Sequence, residues 1–279
     1  MQTKQMRGPE GPRIGARKLP VLPCLFLAVL IAGCIFAEYL APGDPYRMDP
    51  AAVSLAPGDG HIFGTDTLGR DLFACVWHGG RISLTIGLLS MLITTCIAIL
   101  YGTVSGVASD RIDDLMMRFS EILMSVPQIL FVLFLTALAG GGNILSISVA
   151  IGVTGWMPIA KMIRSEVRRL RQMGFVMAAR TMGAGFFYIL RKHLMPNYMA
   201  SVAYMIISGI GSAIAMEATL SFLGLGLPSN VISWGSLLSL SQNAALSGAW
   251  WLLLIPGAFL VFTILCFTEL GEYMRRADQ

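Results

Sequence analysis

Apolar residues in this chain gather into long runs instead of alternating with polar ones, and the runs approach the ~20 residues that a membrane-spanning helix needs. Leu19 to Ala37 carries no charge, and the apolar stretch continues to about Ala41. Ile82 to Val107 is a second clean run. Leu115 to Ala139 is a third, with Glu121 near its start, and Gly140-Gly141-Gly142-Asn143 then breaks the chain. Ile144 to Ile163 is a fourth, ending among Lys161 and Arg164. Tyr198 to Phe222, interrupted only by Glu217, is a fifth, and Ala249 to Gly271 a sixth. The pattern predicts an all-α integral membrane protein with about six transmembrane helices.

The polar positions between the runs orient it. With the N-terminus inside, the inner segments 1–18, 108–118, 161–197 and 272–279 hold 17 of the 20 Lys and Arg residues. The outer loops hold only Arg47, Arg70 and Arg81. This asymmetry follows the positive-inside rule and predicts both termini in the cytoplasm, with Trp250 and Trp251 in the outer aromatic belt. The expected organisation is a basic tail (1–18), a first helix with an extracytoplasmic segment (19–81), a five-helix domain (82–271) containing a cytoplasmic connection (164–197), and a short tail (272–279).

Composition agrees. Hydrophobic residues make up 55% and charged residues 13%, against about 25% charged in a soluble domain, and the mean hydropathy is +0.70. The net charge of +4 is too small to indicate nucleic-acid binding. Cys24, Cys34, Cys75, Cys96 and Cys266 form no CxxC pair and read as small core or lipid-facing residues. Ile31-Ala32-Gly33-Cys34 looks like a lipoprotein cleavage box, but the apolar run continues past Cys34 and five more runs follow.

The cytoplasmic connection is the stretch richest in candidate chemistry. Arg164 to Arg171 is basic and helical in pattern; Phe175 to Gly183 and Ile189 to Asn197 follow. This reads as a short helix, a glycine break at Gly183, a second helix and a proline stop at Pro196. Ala178 and Ala179 have little side-chain bulk, so another surface can approach, and glycine at 183 permits a sharp turn. A solvated basic loop facing anionic lipid headgroups fits the same residues, and chemistry alone leaves both readings open.

Ala178-Ala179-x-x-x-Gly183 with Leu194-Met195-Pro196 resembles the EAA motif of ABC importer permeases, with Met177 in place of the usual Glu. Two further stretches narrow the resemblance to the dipeptide, oligopeptide and nickel permeases. Phe63 to Phe73, continued by Gly79 to Leu84, is similar to their approach to the second span. Leu220 to Gly226, followed by Trp234-Gly235, is similar to their segment after the fifth. The resemblance runs from about Leu19 to Arg276 and implies the type I ABC importer permease fold. It implies that Phe175, Met177, Ala178, Ala179, Gly183 and Pro196 form the element coupled to an ATPase. It further implies a second homologous permease, two ATP-binding subunits that carry ATP and Mg, an extracytoplasmic substrate-binding protein, and a place in a bacterial or archaeal inner membrane for importing peptides, nickel or metal chelates.

Read locally, Thr65, Asp66 or Thr67 caps a short helix, and Asp66 and Arg70, four apart, pair on one helical face. Asp66, Gly69, Arg70 and Asp71 are then either a structural anchor at the outer surface or a place that receives substrate or binding protein. Glu121 and Glu217 are carboxylates within apolar runs, where function or structural pairing must justify their cost. Pro127, Pro158 and Pro256 are expected to bend their helices. His61, His78 and His193 do not cluster, so no metal is expected on this chain. No GxxxxGK[ST] loop occurs, and no Ser-His-Asp or HExxH pattern; the chain is not expected to bind a cofactor or turn over ATP. Other classes that fit the apolar pattern are a membrane-embedded enzyme, a non-transporting anchor, and a secondary transporter, although no internal repeat marks the last.

Overall fold

The computed structural model describes residues 20–58, 60–228, 230–242 and 248–277; the basic tail 1–18 and the last two residues lie outside them. Among the described residues the regular structure is helical. Helix α1 (Val21–Ile35) and the short α2 (Ala37–Leu40) open it, and a 3-10 turn (Pro50–Ala52) follows. The long α3 (Leu72–Val107) leads to α4 (Asp110–Met124), α5 (Gln128–Leu138), α6 (Ile144–Gly155) and α7 (Met157–Arg171). Then come α8 (Gly174–Thr181), α9 (Phe186–Ile189), a π-helical turn (Leu190–Leu194), α10 (Met195–Phe222), α11 (Trp234–Ser241) and α12 (Trp251–Ala277).

Helices α3, α10 and α12 are each long and apolar enough to cross a membrane alone. The third and fourth apolar runs are not straight spans. Helices α4 and α5 meet at 85°, and α6 and α7 at 43°. Pro127 causes the first break, because it offers no N–H to continue a helix and holds the preceding residue out of the helical region. The apolar α5, 11 residues long, covers about 16 Å at ~1.5 Å per residue, half of a ~30 Å hydrocarbon core. Pro158 instead starts α7, at a position where a missing N–H costs nothing, and α12 continues through Pro256. The first run gives a helix of only 15 residues. The second span begins ten residues before its apolar run, because Asp71 caps α3 by accepting a hydrogen bond from the Ala74 amide at 3.0 Å.

Helix α3 is the centre of the bundle. It packs on α6 and α7 along one side and on α10 along another, and α10 packs on α12. Close approach needs small residues, since lipid offers no hydrophobic drive for helices to associate. A Cβ on Gly102 would lie 2.5 Å from the Ala160 carbonyl oxygen of α7. The outer faces remain apolar and exposed, as at Leu88, Leu92, Leu254, Val261 and Phe262.

Candidate functional site

The structure places the two groups of sequence-predicted residues at different parts of the fold. The first group lies on α8 and the turn after it. Val176 and Ala179 are buried in a core shared with Ile163, Val167 and Leu170 of α7 and with Leu194 and Tyr198 before and within α10. The other face of α8 is open: Phe175 is 43% exposed, Met177 58% and Met182 81%, and Ala178 is exposed beside them. The two alanines therefore do different things, Ala179 packing inward and Ala178 facing out. His193 sits between the Phe175 and Tyr188 rings, with centroids 5.8 Å from each.

Gly183 ends α8 in the left-handed conformation, φ +82°. Its N–H donates to the Arg180 carbonyl and the Ala184 N–H donates to that of Ala179, both at 3.0 Å. That double bond pattern is a Schellman cap, and its left-handed residue favours glycine. No atom lies within 4 Å of where a Cβ would stand, so the conformation demands glycine here and crowding does not. The expected proline stop is absent. Pro196 lies in the first turn of α10, and α9 runs through the π-turn into α10 without an interruption. The π-helical turn Leu190–Leu194 lies directly before Pro196, where the regular ladder would need the N–H that proline lacks, and so the helical path continues past it.

The second group, Asp66 to Asp71, is a tight turn and not a helix. The Asp66 carboxylate accepts the Leu68 and Arg70 amides at 2.8 and 2.9 Å and pairs with Arg70 Nε at 2.6 Å, with both side chains buried. The pairing expected from the spacing exists, but the backbone that presents it is held by a bridge between Thr65 and Asp71. The Thr65 hydroxyl donates to the Ala52 carbonyl and accepts the Leu55 amide at 2.8 Å. Gly69 has φ +76°, and a Cβ there would land on the Asp49 carbonyl. Asp71, not Thr65, Asp66 or Thr67, supplies the helix cap, and it also meets His61 Nδ1 at 2.9 Å. Trp251 Nε1 reaches the Thr65 carbonyl at 3.4 Å. That contact buries Trp251, so Trp250 alone stays exposed for an aromatic belt.

Both carboxylates in the apolar runs have partners. Glu217 is fully buried and accepts hydroxyl hydrogen bonds from Ser83 of α3 at 3.2 Å, Ser221 at 2.8 Å and Ser233 at 2.8 Å. It ties α10 to α3 and to the cap of α11. Glu121 is exposed and lies 3.4 Å from Lys161 Nζ. Sequence reasoning passed over Asp113. It is buried, accepts Arg164 Nε at 2.6 Å and Arg168 Nη2 at 2.8 Å, and takes the Ser105 hydroxyl as well. The signal was available as acidic residues on one inner segment facing arginines on the next. The charge pattern likewise puts Arg81 in an outer loop. It lies within α3, where its guanidinium donates to the Cys34 and Ile35 carbonyls at 3.1 and 3.0 Å and so caps α1.

A cavity of about 370 Å³ lies where both broken helices meet α3 and α10. Thr94, Gln128, Ser208 and Ser212 give it neutral polar groups, Met91 and Met216 line it too, and no charged side chain does. Gln128 opens α5 directly after the Pro127 bend, and Gly155 and Pro158 flank the α6–α7 break, so the two breaks make the space.

A helical membrane bundle with broken spans, a partly open cavity lined without charged side chains and an exposed hairpin at one end belongs to the class of transport subunits. The sequence profile of the binding-protein-dependent transport system inner membrane components matches residues 98–276, and this chain belongs to that family. It is 37% identical over 265 residues to the dipeptide transport system permease protein DppC of Bacillus subtilis, covering 95% of this chain and 82% of that one. It is 41% identical over 256 residues to the oligopeptide transport system permease protein OppC of Escherichia coli, covering 91% and 84%. The OppC protein of Haemophilus influenzae is 38% identical over 267 residues, covering 95% and 85%. The fold matches a chain of the MetNI methionine ABC transporter in an inward-facing conformation with a TM-score of 0.59 at 18% identity, covering 74% of this chain and 96% of that one. The chain thus has the type I ABC importer permease fold and is the multi-pass, pore-forming permease subunit of an ABC importer.

Proposed function

We propose that this subunit passes peptides, and that α8 with its glycine cap is the surface through which ATP-binding subunits drive it. The observation that carries the docking role is the apolar face of Phe175, Met177 and Met182, exposed at the end of the bundle where the sequence places most of its arginines and lysines. Exposed apolar side chains at such a charged end mark an interaction site. Val176 and Ala179 anchor α8 from behind, and the chain continues through α9 and the π-turn into α10. A push on α8 is therefore passed to the helix that lines the cavity. Two permeases, two ATP-binding subunits holding ATP and Mg, and an extracytoplasmic binding protein complete the machine, with both termini cytoplasmic. ATP-driven closure shifts the population between inward-open and outward-open states, as a ligand does to any two-state element.

The substrate assignment rests on the relatives, named as dipeptide and oligopeptide permeases, and on the cavity. Neutral hydroxyl and amide groups can meet a peptide backbone, and a lining without charge does not select among charged side chains. The nickel half of the resemblance draws no such support: among the described residues no three His, Cys, Asp or Glu side chains come together. The buried Asp66–Arg70 turn reads as the structural anchor of the two alternatives, since its charges satisfy one another.

Two measurements test this. Cysteines at Met177 and Met182 should cross-link to the ATP-binding subunit in the assembled importer, while one at the lipid-facing Leu88 should not. Cells dependent on the importer should take up defined di- or oligopeptides. Cross-linking at Leu88 but not at Met182 overturns the docking surface, and uptake of only non-peptide substrates overturns the substrate class.

A further inference from the structure

The end of the bundle that carries α8 holds a second cavity, of about 480 Å³, which transport as described does not use. Three elements wall it. The α3–α4 turn contributes Ser109 and Asp110, the last turn of α7 contributes Arg168 and Arg171, and α8 contributes Arg180. One carboxylate thus faces three guanidiniums. Arg168 is already engaged, by Asp110 at 2.9 Å and Asp113 at 2.8 Å. Arg171 donates through Nη1 to the Gly106 carbonyl at 2.8 Å, which fixes its guanidinium at the cavity wall and leaves most of its five N–H groups available. Arg180 has no side-chain hydrogen bond or ion pair with any described residue. The Ser109 hydroxyl makes no capping bond to α4. The cavity therefore collects two guanidiniums without an anionic partner and a free hydroxyl, a donor set that matches phosphate oxygens.

Its place in the fold says what carries the phosphate. Ala108 lines the cavity at the end of the apolar α3. Leu100, Val104 and Ala108 are spaced four apart and share one face of that helix. Leu100 is 69% exposed and Val104 53%, about 12 and 6 Å along the axis from Ala108 at ~1.5 Å per residue. An apolar strip thus leads from the membrane interior up to a cationic cavity.

We propose that this cavity is a phosphate site, filled by the headgroup of an anionic phospholipid whose acyl chain lies along Leu100 and Val104. The bound phosphate bridges Arg171 on α7 and Arg180 on α8 and so holds α8 against the bundle. A free phosphate compound shares the same chemistry and is separated by the test. The proposal leans on the placement of α8 only for which leaflet supplies the lipid, and its readout is binding, not transport.

The complete importer is reconstituted in nanodiscs of phosphatidylcholine with phosphatidylglycerol, extracted, and examined by native mass spectrometry for retained lipid. The wild type should retain phosphatidylglycerol in preference to phosphatidylcholine. Each arginine near a membrane surface changes anionic lipid binding by about fivefold, so Arg171→Gln with Arg180→Gln should lower retention by about thirtyfold. Arg171→Lys with Arg180→Lys should keep most of it. Asp110→Asn, which removes the opposing charge, should raise it. If millimolar inorganic phosphate displaces the lipid and itself binds with the same dependence on the arginines, the site takes a soluble phosphate and the lipid assignment falls. Equal retention in wild type and the Gln pair, without phosphate binding, overturns the site. Should the Gln pair fail to assemble, loss of retention in the Lys pair or no gain in Asp110→Asn overturns it equally.

Discussion

Replacing Gly183 by alanine isolates one physical quantity, the left-handed turn that ends α8. The residue has φ +82°, and its amide and that of Ala184 close the Schellman cap onto Arg180 and Ala179. An L-residue held there loses about 1–2 kcal/mol relative to glycine. Nothing stands within 4 Å of the new methyl group, so no packing cost adds to it. If α8 must keep this hairpin to dock, its docking-competent population falls by roughly 5- to 30-fold, since ~1.4 kcal/mol is a factor of ten. Gly183→Asn should recover part of that loss, because asparagine visits the left-handed region more readily. Gly183→Val should lose more than alanine, since a β-branched residue fits positive φ worst. Gly174→Ala, at the start of the same helix with open space around it, should behave as wild type. The assay titrates purified ATP-binding subunits against each solubilised permease variant and measures uptake in parallel, at matched membrane levels. An asparagine variant weaker than alanine would mean that size, not conformation, governs the turn. An alanine variant that docks and transports normally would remove the coupling role from this hairpin.

Three other outcomes can be measured, two drawn from the geometry and the third from the charge pattern of the loops. Glu217→Ala removes the acceptor of three serine hydroxyls, two of them, Ser83 and Ser233, outside α10; at ~0.6 to 1.7 kcal/mol per interhelical bond, thermal unfolding in detergent should register a loss of about 1–3 kcal/mol, with Glu217→Gln in between, and an unchanged melting temperature contradicts the role of Glu217 as a tie between α3, α10 and α11. Arg70→Ala leaves Asp66 buried without its partner and should cost about 3–5 kcal/mol, seen as faster proteolysis of the 45–70 segment; a protease pattern like that of the wild type refutes the anchor. Reporter fusions at Gly58 and Asn230 should report outside and a fusion at Gly174 inside, and a cytoplasmic signal at Gly58 reverses the topology.

The chain's one-dimensional pattern determined what depends on composition along the backbone. Lipid demands uninterrupted apolar length, so the runs and the loop arginines announce a multi-pass bundle without reference to any contact. The glycine at 183 was visible as punctuation, whereas the proline at 196 looked like a stop and is not one, and the spacing of Asp66 and Arg70 announced their pairing. What the pattern could not decide is direction. Ala178 and Ala179 are equivalent in sequence, yet the anchoring of α8 on α7 and α10 turns one inward and the other out. The 85° turn at Pro127 needs the path of the chain after it, because a proline can kink, cap or end a helix, and Pro127, Pro158 and Pro196 take different options. Asp113, Arg81 and Glu217 owe their meaning to residues 51, 47 and 134 positions away in Arg164, Cys34 and Ser83. A charge in or near a membrane is tolerated only where partners meet it, and only the packed helices bring such partners together.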